Sequence, residues 1–260
     1  MIKVAIIGMG NVAWNVHLPV LLSRDDIEIS WVFDKCQDKK NVLKKKNIPF
    51  FNDIEKATNY KKSDIALITI PYSERAKIFD EIKDKFSGIF FEKPFALTLD
   101  QHKYFSNYFE DYAVTIGYQR RHMGIVKTLK KIINQNIFAP LTSIKINFGD
   151  IHYKFDGFRS KKEKSGGGIF FETGSHWIDT VLFATSAKDI KNFKSYKKKI
   201  AELDVECKGE FDIINQDNHE INCNFYISNL KNTSNSIDFN LKHCSIRLSL
   251  FDDDSNLKVT

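Results

Sequence analysis

The sequence predicts an α/β N-terminal half built on a doubly wound parallel sheet, followed by an α+β half with a mainly antiparallel sheet. Three observations carry that prediction. Near-continuous apolar runs alternate with amphipathic stretches over the first 118 residues, as they do where helices cover both faces of a parallel sheet. A glycine turn, Gly8-Met9-Gly10, follows the first apolar run directly. Beyond Tyr118 the pattern changes to β-type runs joined by short turns, which favours antiparallel neighbours.

In the first half, strands are expected at 2–7, 27–33, 64–70, 88–91 and 112–117. Helical patterns fall between them at about 11–22, 36–46, 73–86 and 98–109. The second half is expected to open with a helix at 123–136 and a strand at 141–149. A polar, glycine-containing segment, 150–168, then leads into a helix at about 169–185. Strand-like runs follow near 190–195, 200–214, 219–229, 235–241 and 244–251. The expected domains are a dinucleotide-binding unit, 1–118, and a substrate and oligomerisation unit, 119–260.

With 260 residues, 42% of them hydrophobic, the chain can bury a sizeable core. Its longest apolar stretches, such as Ile65 to Ile70, are too short to span a bilayer. The first strand begins at Ile2 and leaves no room for a signal peptide, so a cytoplasmic protein is expected. Cys36, Cys207, Cys223 and Cys244 show no CxxC pair and no zinc-ligand spacing, and they read as free thiols with no metal. The net charge of +6 comes from scattered lysine clusters (Lys44 to Lys46, Lys130-Lys131, Lys161-Lys162, Lys197 to Lys199) with few arginines. Such clusters read as solvated faces, with neither nucleic acid nor membrane as partner, though their charge can draw in an anionic substrate.

The run Gly8-Met9-Gly10-Asn11-Val12-Ala13 lies where a strand ends and a helix opens. Gly8 allows the tight turn, Gly10 lets a pyrophosphate approach the backbone, and the small Ala13 lets the helix pack on the strand. Helix N–H groups near Asn11 and Val12 then face the phosphates. Asp34 closes the second apolar run about 20 residues further on, where a carboxylate accepts hydrogen bonds from an adenosine ribose. Its charge repels a 2′-phosphate, so NAD is expected over NADP, with Lys35 and Lys39 softening the repulsion.

Further groups stand at points where chemistry is expected. Glu92-Lys93-Pro94 follows the run Gly88 to Phe91, and ligands bind outside the carboxyl ends of such strands. A lysine there can stabilise a developing alkoxide, or it can be a plain Lys-Pro at a strand exit. Ser165-Gly166-Gly167-Gly168 precedes Glu172, His176 and Asp179, whose spacing puts them on one helical face. A carboxylate one turn from a histidine fixes its tautomer and raises its basicity, while the same stripe could simply face water. Tyr118-Gln119-Arg120-Arg121-His122 offers paired arginines for an anionic or polyol substrate, or a basic helix start.

Taken in order, GMGNVA, VFDK, ITIP, FFEKP, GYQRR and SGGGIFFETGSHWID resemble the glucose–fructose oxidoreductase, inositol dehydrogenase and rhizopine-catabolism group of nicotinamide-dependent oxidoreductases over roughly residues 2–185. The resemblance implies Lys93 and His176 as the catalytic pair, assisted by Glu172. It implies cofactor contacts from Gly8, Gly10, Asn11, Val12, Asp34, Lys35, Ile70, Pro71, Glu92 and Lys93, with NAD as cofactor. Candidate substrate contacts are Gln119, Arg120, His152, Arg159, Thr173 and Asp179.

The chain also departs from that group. Glu172 replaces the usual aspartate, and Tyr72 and Arg75 stand where Asn and His are usual after Pro71. The chain is several dozen residues shorter than most members and ends after a strand and the acidic turn Asp252-Asp253-Asp254. The C-terminal sheet is therefore expected to be shortened, which bears on a homo-oligomer formed through it. The expected activity is oxidation or reduction of a secondary alcohol or ketone of a sugar, cyclitol or nucleotide-sugar. A non-catalytic cofactor-binding homologue and an NAD-dependent glycosidase are the alternatives.

Overall fold

The computed structural model describes residues 1–155, 157–249 and 256–260. The chain forms two compact units, Met1–Gly117 and Tyr118–Thr260.

The first unit carries strands β1 (Ile2–Ile7), β2 (Ile27–Phe33), β3 (Phe50–Phe51), β4 (Ile65–Ile68), β5 (Gly88–Phe91) and β6 (Ala113–Ile116), in the order β3-β2-β1-β4-β5-β6. Every described pairing in this sheet is parallel. The chain winds one way from β1 to β3 and then crosses to β4, so the direction of winding reverses between β1 and β4. Ligands bind at the carboxyl ends of strands beside such a reversal. The apolar run Val4–Ile7 of β1 follows from burial on both sides. Ala5 and Ile7 pack with Trp31, Ile68 and Phe91, while Val4 and Ile6 pack on the opposite face with Leu18, Val32 and Leu67.

The sequence pattern missed β3 and the helix Ile54–Tyr60 that follows it. A two-residue strand has no periodicity to read, although Asp53 caps that helix by accepting the Lys56 N–H at 3.1 Å. The helix expected at 73–86 is broken into the short turns Tyr72–Arg75, Ala76–Ile78 and Phe79–Ile82. The break falls at Ile78 (φ −115°, ψ 3°), and beyond it Phe79 enters an aromatic cluster with Phe91, Phe105 and Phe109.

The second unit is built on β7 (Leu141–Gly149), β8 (Ala187–Ile200), β9 (Leu203–Asn215), β10 (Glu220–Ser228), β11 (Ser236–Leu241), β12 (Ser245–Ser249) and β13 (Asn256–Val259), in the order β13-β12-β11-β7-β10-β9-β8. Among the described pairs β7 with β10 is parallel and the others are antiparallel. Helices Gly124–Asn134 and Ser175–Ala184 supply Val126, Leu129, Trp177 and Val181 to a core shared with Phe211, Phe225 and Phe239. The mixed sheet is thus α+β, as the sequence predicts.

Here too the boundaries shift. β8 runs from 187 to 200 rather than 190 to 195, because almost every residue of this edge strand is exposed and its lysines mask the alternation. Lysines on an exposed edge also discourage pairing with other chains. β13 was not anticipated, and it pairs with β12. The strand expected at 244–251 covers Ser245–Ser249, and the acidic turn Asp252-Asp253-Asp254 lies outside the described residues. Among the described residues, no helix is long and apolar enough to cross a membrane, no group of three or more His, Cys, Asp or Glu could hold a metal, and the cysteines are free.

Candidate functional site

In the first unit, β1 ends in a turn that only glycine can make. Gly8 has φ +100°, and a Cβ there would lie 2.8 Å from Ile70 Cγ2. Its N–H donates to Phe33 O at 2.8 Å, and Thr69 Oγ1 donates to its carbonyl at 2.7 Å, so the turn is held by β2 and by the end of β4. Gly10 is different. A Cβ at Gly10 would meet nothing within 4 Å, which leaves the open space beside the backbone that a pyrophosphate requires. The exposed Asn11 and half-buried Val12 open the helix there, and amides of a first turn have no intrahelical acceptor. The residues present therefore fit a dinucleotide.

Asp34, at the end of β2, accepts the Met9 N–H at 2.5 Å and the Cys36 N–H at 2.7 Å. A carboxylate has about four acceptor positions, so these two bonds orient it and leave capacity for ribose hydroxyls. The two nearby lysines are both engaged. Lys35 Nζ lies 3.4 Å from Glu74 Oε2, and Lys39 Nζ sits over the Trp14 ring at 4.7 Å. Glu74 also accepts from Lys77 at 2.8 Å, and the hydrogen bonds from Lys77 and then Lys35 hold its carboxyl below the usual carboxylate range.

Beyond β5, Glu92 Oε1 lies 2.7 Å from His17 Nε2, while Oε2 accepts the Lys93 N–H at 3.2 Å. The Lys93–Pro94 peptide bond is cis. Arg75, 1% exposed, lies under this turn. Its Nη1 donates to Pro94 O at 2.5 Å and Phe95 O at 2.9 Å, and its Nη2 donates to Glu92 O at 2.7 Å. The rings of Tyr72 and Phe91 flank the guanidinium at 5.3 and 5.6 Å. Ile70 and Pro71 are half-buried just beyond β4. Arg75 is thus a buried clamp on the Lys93 turn rather than an open contact for the nicotinamide side. Sequence reasoning missed this role and that of His17. The one signal was that Arg75 stands where the resembled group has histidine.

In the second unit, the glycine run admits β9 to close range. A Cβ on Gly168 would lie 2.0 Å from Asp204 O. The Asp204 carboxylate, 5% exposed, accepts the N–H of Gly168 at 2.9 Å and of Phe170 at 2.8 Å. Asp204 lies 36 residues beyond the motif it anchors, and no local pattern marked it. The helix then opens with a π-turn, Phe170–Gly174, that holds Glu172 and Thr173, and continues as Ser175–Ala184. A second π-turn, Ala13–His17, lies behind the Gly8 turn in the first unit. Such turns recur at functional sites.

Glu172 and Asp179 are buried at 5% and 7% exposure and His176 is half-buried, so this polar stripe is not a wet helix face. Arg159 Nε lies 4.0 Å from Glu172 Oε2, which brings two of the sequence-selected residues together. The Tyr118 ring meets His176 edge-on at 6.0 Å. Arg120 lies over the Trp177 ring at 5.0 Å, and burial pulls its guanidinium pKa down to about 10. Asp179 is paired with Arg121. It accepts from Arg121 Nε at 2.9 Å and Nη2 at 2.5 Å. Burial still pushes its carboxyl above the usual value, outweighing Arg121, whereas Asp179 raises the Arg121 guanidinium. Gln119 and His152 are exposed, and the His152 N–H donates to Asp150 Oδ1 at 2.8 Å.

The first unit thus joins a parallel sheet to a glycine turn, an acid at the end of β2 and a clamped lysine turn. Residues 2–119 match the GFO_IDH_MocA family model, described as an oxidoreductase family with an NAD-binding Rossmann fold. Over a longer span the chain is similar to scyllo-inositol 2-dehydrogenase (NADP(+)) IolW of Bacillus subtilis. The two are 22% identical over 186 residues, 70% of this chain and 51% of that protein. It is also similar to glucose-6-phosphate 3-dehydrogenase of Bacillus subtilis, at 24% over 192 residues, 70% of this chain and 53% of that protein. The chain spans about half the length of these curated relatives.

Among solved structures, aldose-aldose oxidoreductase from Caulobacter crescentus superposes with a TM-score of 0.83 at 14% identity, covering 99% of this chain and 79% of that one. The WlbA dehydrogenase from Bordetella pertussis, in complex with NADH and UDP-GlcNAcA, gives 0.79 at 18% identity, covering 95% and 79%. At these identities the likeness shows the fold.

Proposed function

We propose that this chain is an NAD-dependent oxidoreductase acting on a secondary alcohol, or the corresponding ketone, of a sugar, cyclitol or nucleotide-linked sugar. The observation that carries the reading is the Lys93 turn, held by Arg75 beyond the carboxyl end of β5 in the unit that also carries the open Gly10 backbone. The relatives' substrates support the class, since one is named for scyllo-inositol, another for glucose 6-phosphate, and a structural neighbour holds NADH and UDP-GlcNAcA.

NAD, when bound, supplies the hydride acceptor for the reaction. Gly8, Gly10, Asn11 and Val12 would hold its pyrophosphate, Asp34 its ribose, and Ile70, Pro71, Glu92 and Lys93 its nicotinamide side. The Lys93 ammonium donates to the reacting oxygen and stabilises negative charge as it develops. His176 takes the hydroxyl proton as general base, and the Glu172 carboxylate favours the imidazolium that results. Gln119, Arg120, His152, Arg159, Thr173 and Asp179 are the proposed substrate contacts. The reading is of a cytoplasmic enzyme, and assembly through the C-terminal sheet belongs to it.

A panel of free and nucleotide-linked sugars, with NAD reduction followed optically, tests the proposal. NADH should accumulate in proportion to ketone formed. Turnover without free NADH would favour a glycosidase that recycles tightly held NAD, and NAD binding without turnover on any sugar would favour a cofactor-binding homologue.

A further inference from the structure

We infer that Glu74 is a specificity-determining residue, which keeps NADP out by occupying the lysine that would otherwise receive its 2′-phosphate. The inference rests on the proposed NAD site and names a residue in it that no sequence motif marks. Asp34 is the acid expected at the ribose, and the next residue, Lys35, is the nearest cation in sequence. A 2′-phosphate placed beside Asp34 needs a cation to offset the carboxylate. Lys35 Nζ lies instead 3.4 Å from Glu74 Oε2, with its side chain 78% exposed and therefore free to reach a phosphate if released.

Glu74 neutralises Lys35 in this arrangement. Its other oxygen accepts from Lys77 at 2.8 Å, which holds the carboxylate in place and keeps it ionised. Lys39 is held over the Trp14 ring at 4.7 Å. Glu74 sits in the short turn Tyr72–Arg75, directly after Pro71, so its position is set by the exit of β4. The backbone there is fixed by the Glu74 N–H to Pro71 O bond at 2.9 Å, which a side-chain substitution leaves intact.

The test is cofactor affinity, which needs no substrate. Dissociation constants for NAD and NADP are measured by calorimetry on the full chain for wild type, Glu74→Gln, Glu74→Ala, Lys35→Ala and the Lys35→Ala/Glu74→Gln pair. Removing one charge at close range should move the NADP-to-NAD affinity ratio toward NADP by about 5-fold or more at low salt, and by less at about 0.5 M salt. Both Glu74 variants should show the shift, and the Lys35→Ala background should abolish it. A ratio within about 2-fold of wild type in both variants, while wild type still binds NAD, overturns the role of Glu74 and leaves the NAD site standing. A shift that persists in the Lys35→Ala background overturns the account through Lys35. Failure of wild type to bind either dinucleotide overturns the NAD site itself, and this inference with it.

Discussion

His17 Nε2 lies 2.7 Å from Glu92 Oε1, and this pair ties the helix behind the glycine turn to the turn that carries Lys93. Both side chains are about one-fifth exposed, at 20% and 19%. The π-turn Ala13–His17 ends at His17, whose ring also meets Phe90 edge-on at 5.6 Å. The two segments expected to flank a cofactor are therefore mechanically coupled within one unit.

Removing the imidazole should be felt first as stability. His17→Ala leaves the half-buried Glu92 carboxylate short of a partner, at a cost of about 1–2 kcal/mol. Urea unfolding should show the lower midpoint, and His17→Gln should recover part of it by restoring a donor. An unchanged midpoint in His17→Ala would make the pair incidental.

Gly8 and Gly10 should separate folding from binding. Gly10→Val places a side chain in open space, so the variant should fold with a normal circular dichroism spectrum and yet bind no NAD. Gly8→Ala forces a left-handed φ of +100° on a residue whose Cβ meets Ile70 at 2.8 Å, and should lose about 1–3 kcal/mol of stability. Normal NAD affinity in a folded Gly10→Val protein would mean that the turn binds something else.

Asp204 should matter to the second unit as much as the glycines it faces. Asp204→Ala leaves the Gly168 and Phe170 amides without their acceptor and should cost about 1–3 kcal/mol. Hydrogen exchange should then quicken at residues 168–174 ahead of the rest of the unit. Uniform exchange, with no local change, would show that the turn holds without the carboxylate.

Asp179 supplies a pH signature. Its carboxyl pKa is raised in the folded protein above the ordinary aspartate value, chiefly by burial. A group of this kind binds more protons folded than unfolded, so its contribution to stability is full at low pH and falls as pH rises from near 3.8 through the folded value. Arg121, the charged group facing it, stays protonated throughout that window and adds no slope. Relative to Asp179→Asn, wild type should lose stability as pH rises above about 4. Parallel stability curves for the two proteins would rule this out.

The fold was legible where burial writes a period into the chain. β1, β2 and β5 carry apolar residues on both faces, and the helix Gly124–Asn134 carries Val126, Leu129 and Ile133 on one face, so their patterns could be read directly. β8 resisted because an exposed edge imposes no alternation, and β3 because two residues have no period. The candidate site divides in the same way. Gly8, Gly10 and Asp34 are local to their motifs. Asp204 and Arg75 act on segments distant in sequence, through carboxylate-to-amide and guanidinium-to-carbonyl bonds that require the folded sheet.

The decisive prediction concerns Lys93 and His176. If the two act on one proton transfer, each truncation should slow catalysis by roughly 10²- to 10⁴-fold. NAD affinity should change little, because the proposed phosphate and ribose contacts are Gly8, Gly10 and Asp34. The double variant should be scarcely slower than either single one, since groups that act as a unit are not additive. Glu172→Gln should cost less, for it keeps a hydrogen-bonding group one helical turn before the histidine while removing the charge proposed to favour the imidazolium. Turnover and NAD binding would be measured for Lys93→Met, His176→Ala and the pair on whichever sugar the panel identifies. Full turnover in either single variant would remove that residue from the mechanism. Full turnover in both would leave a chain that binds NAD and does its chemistry with other groups.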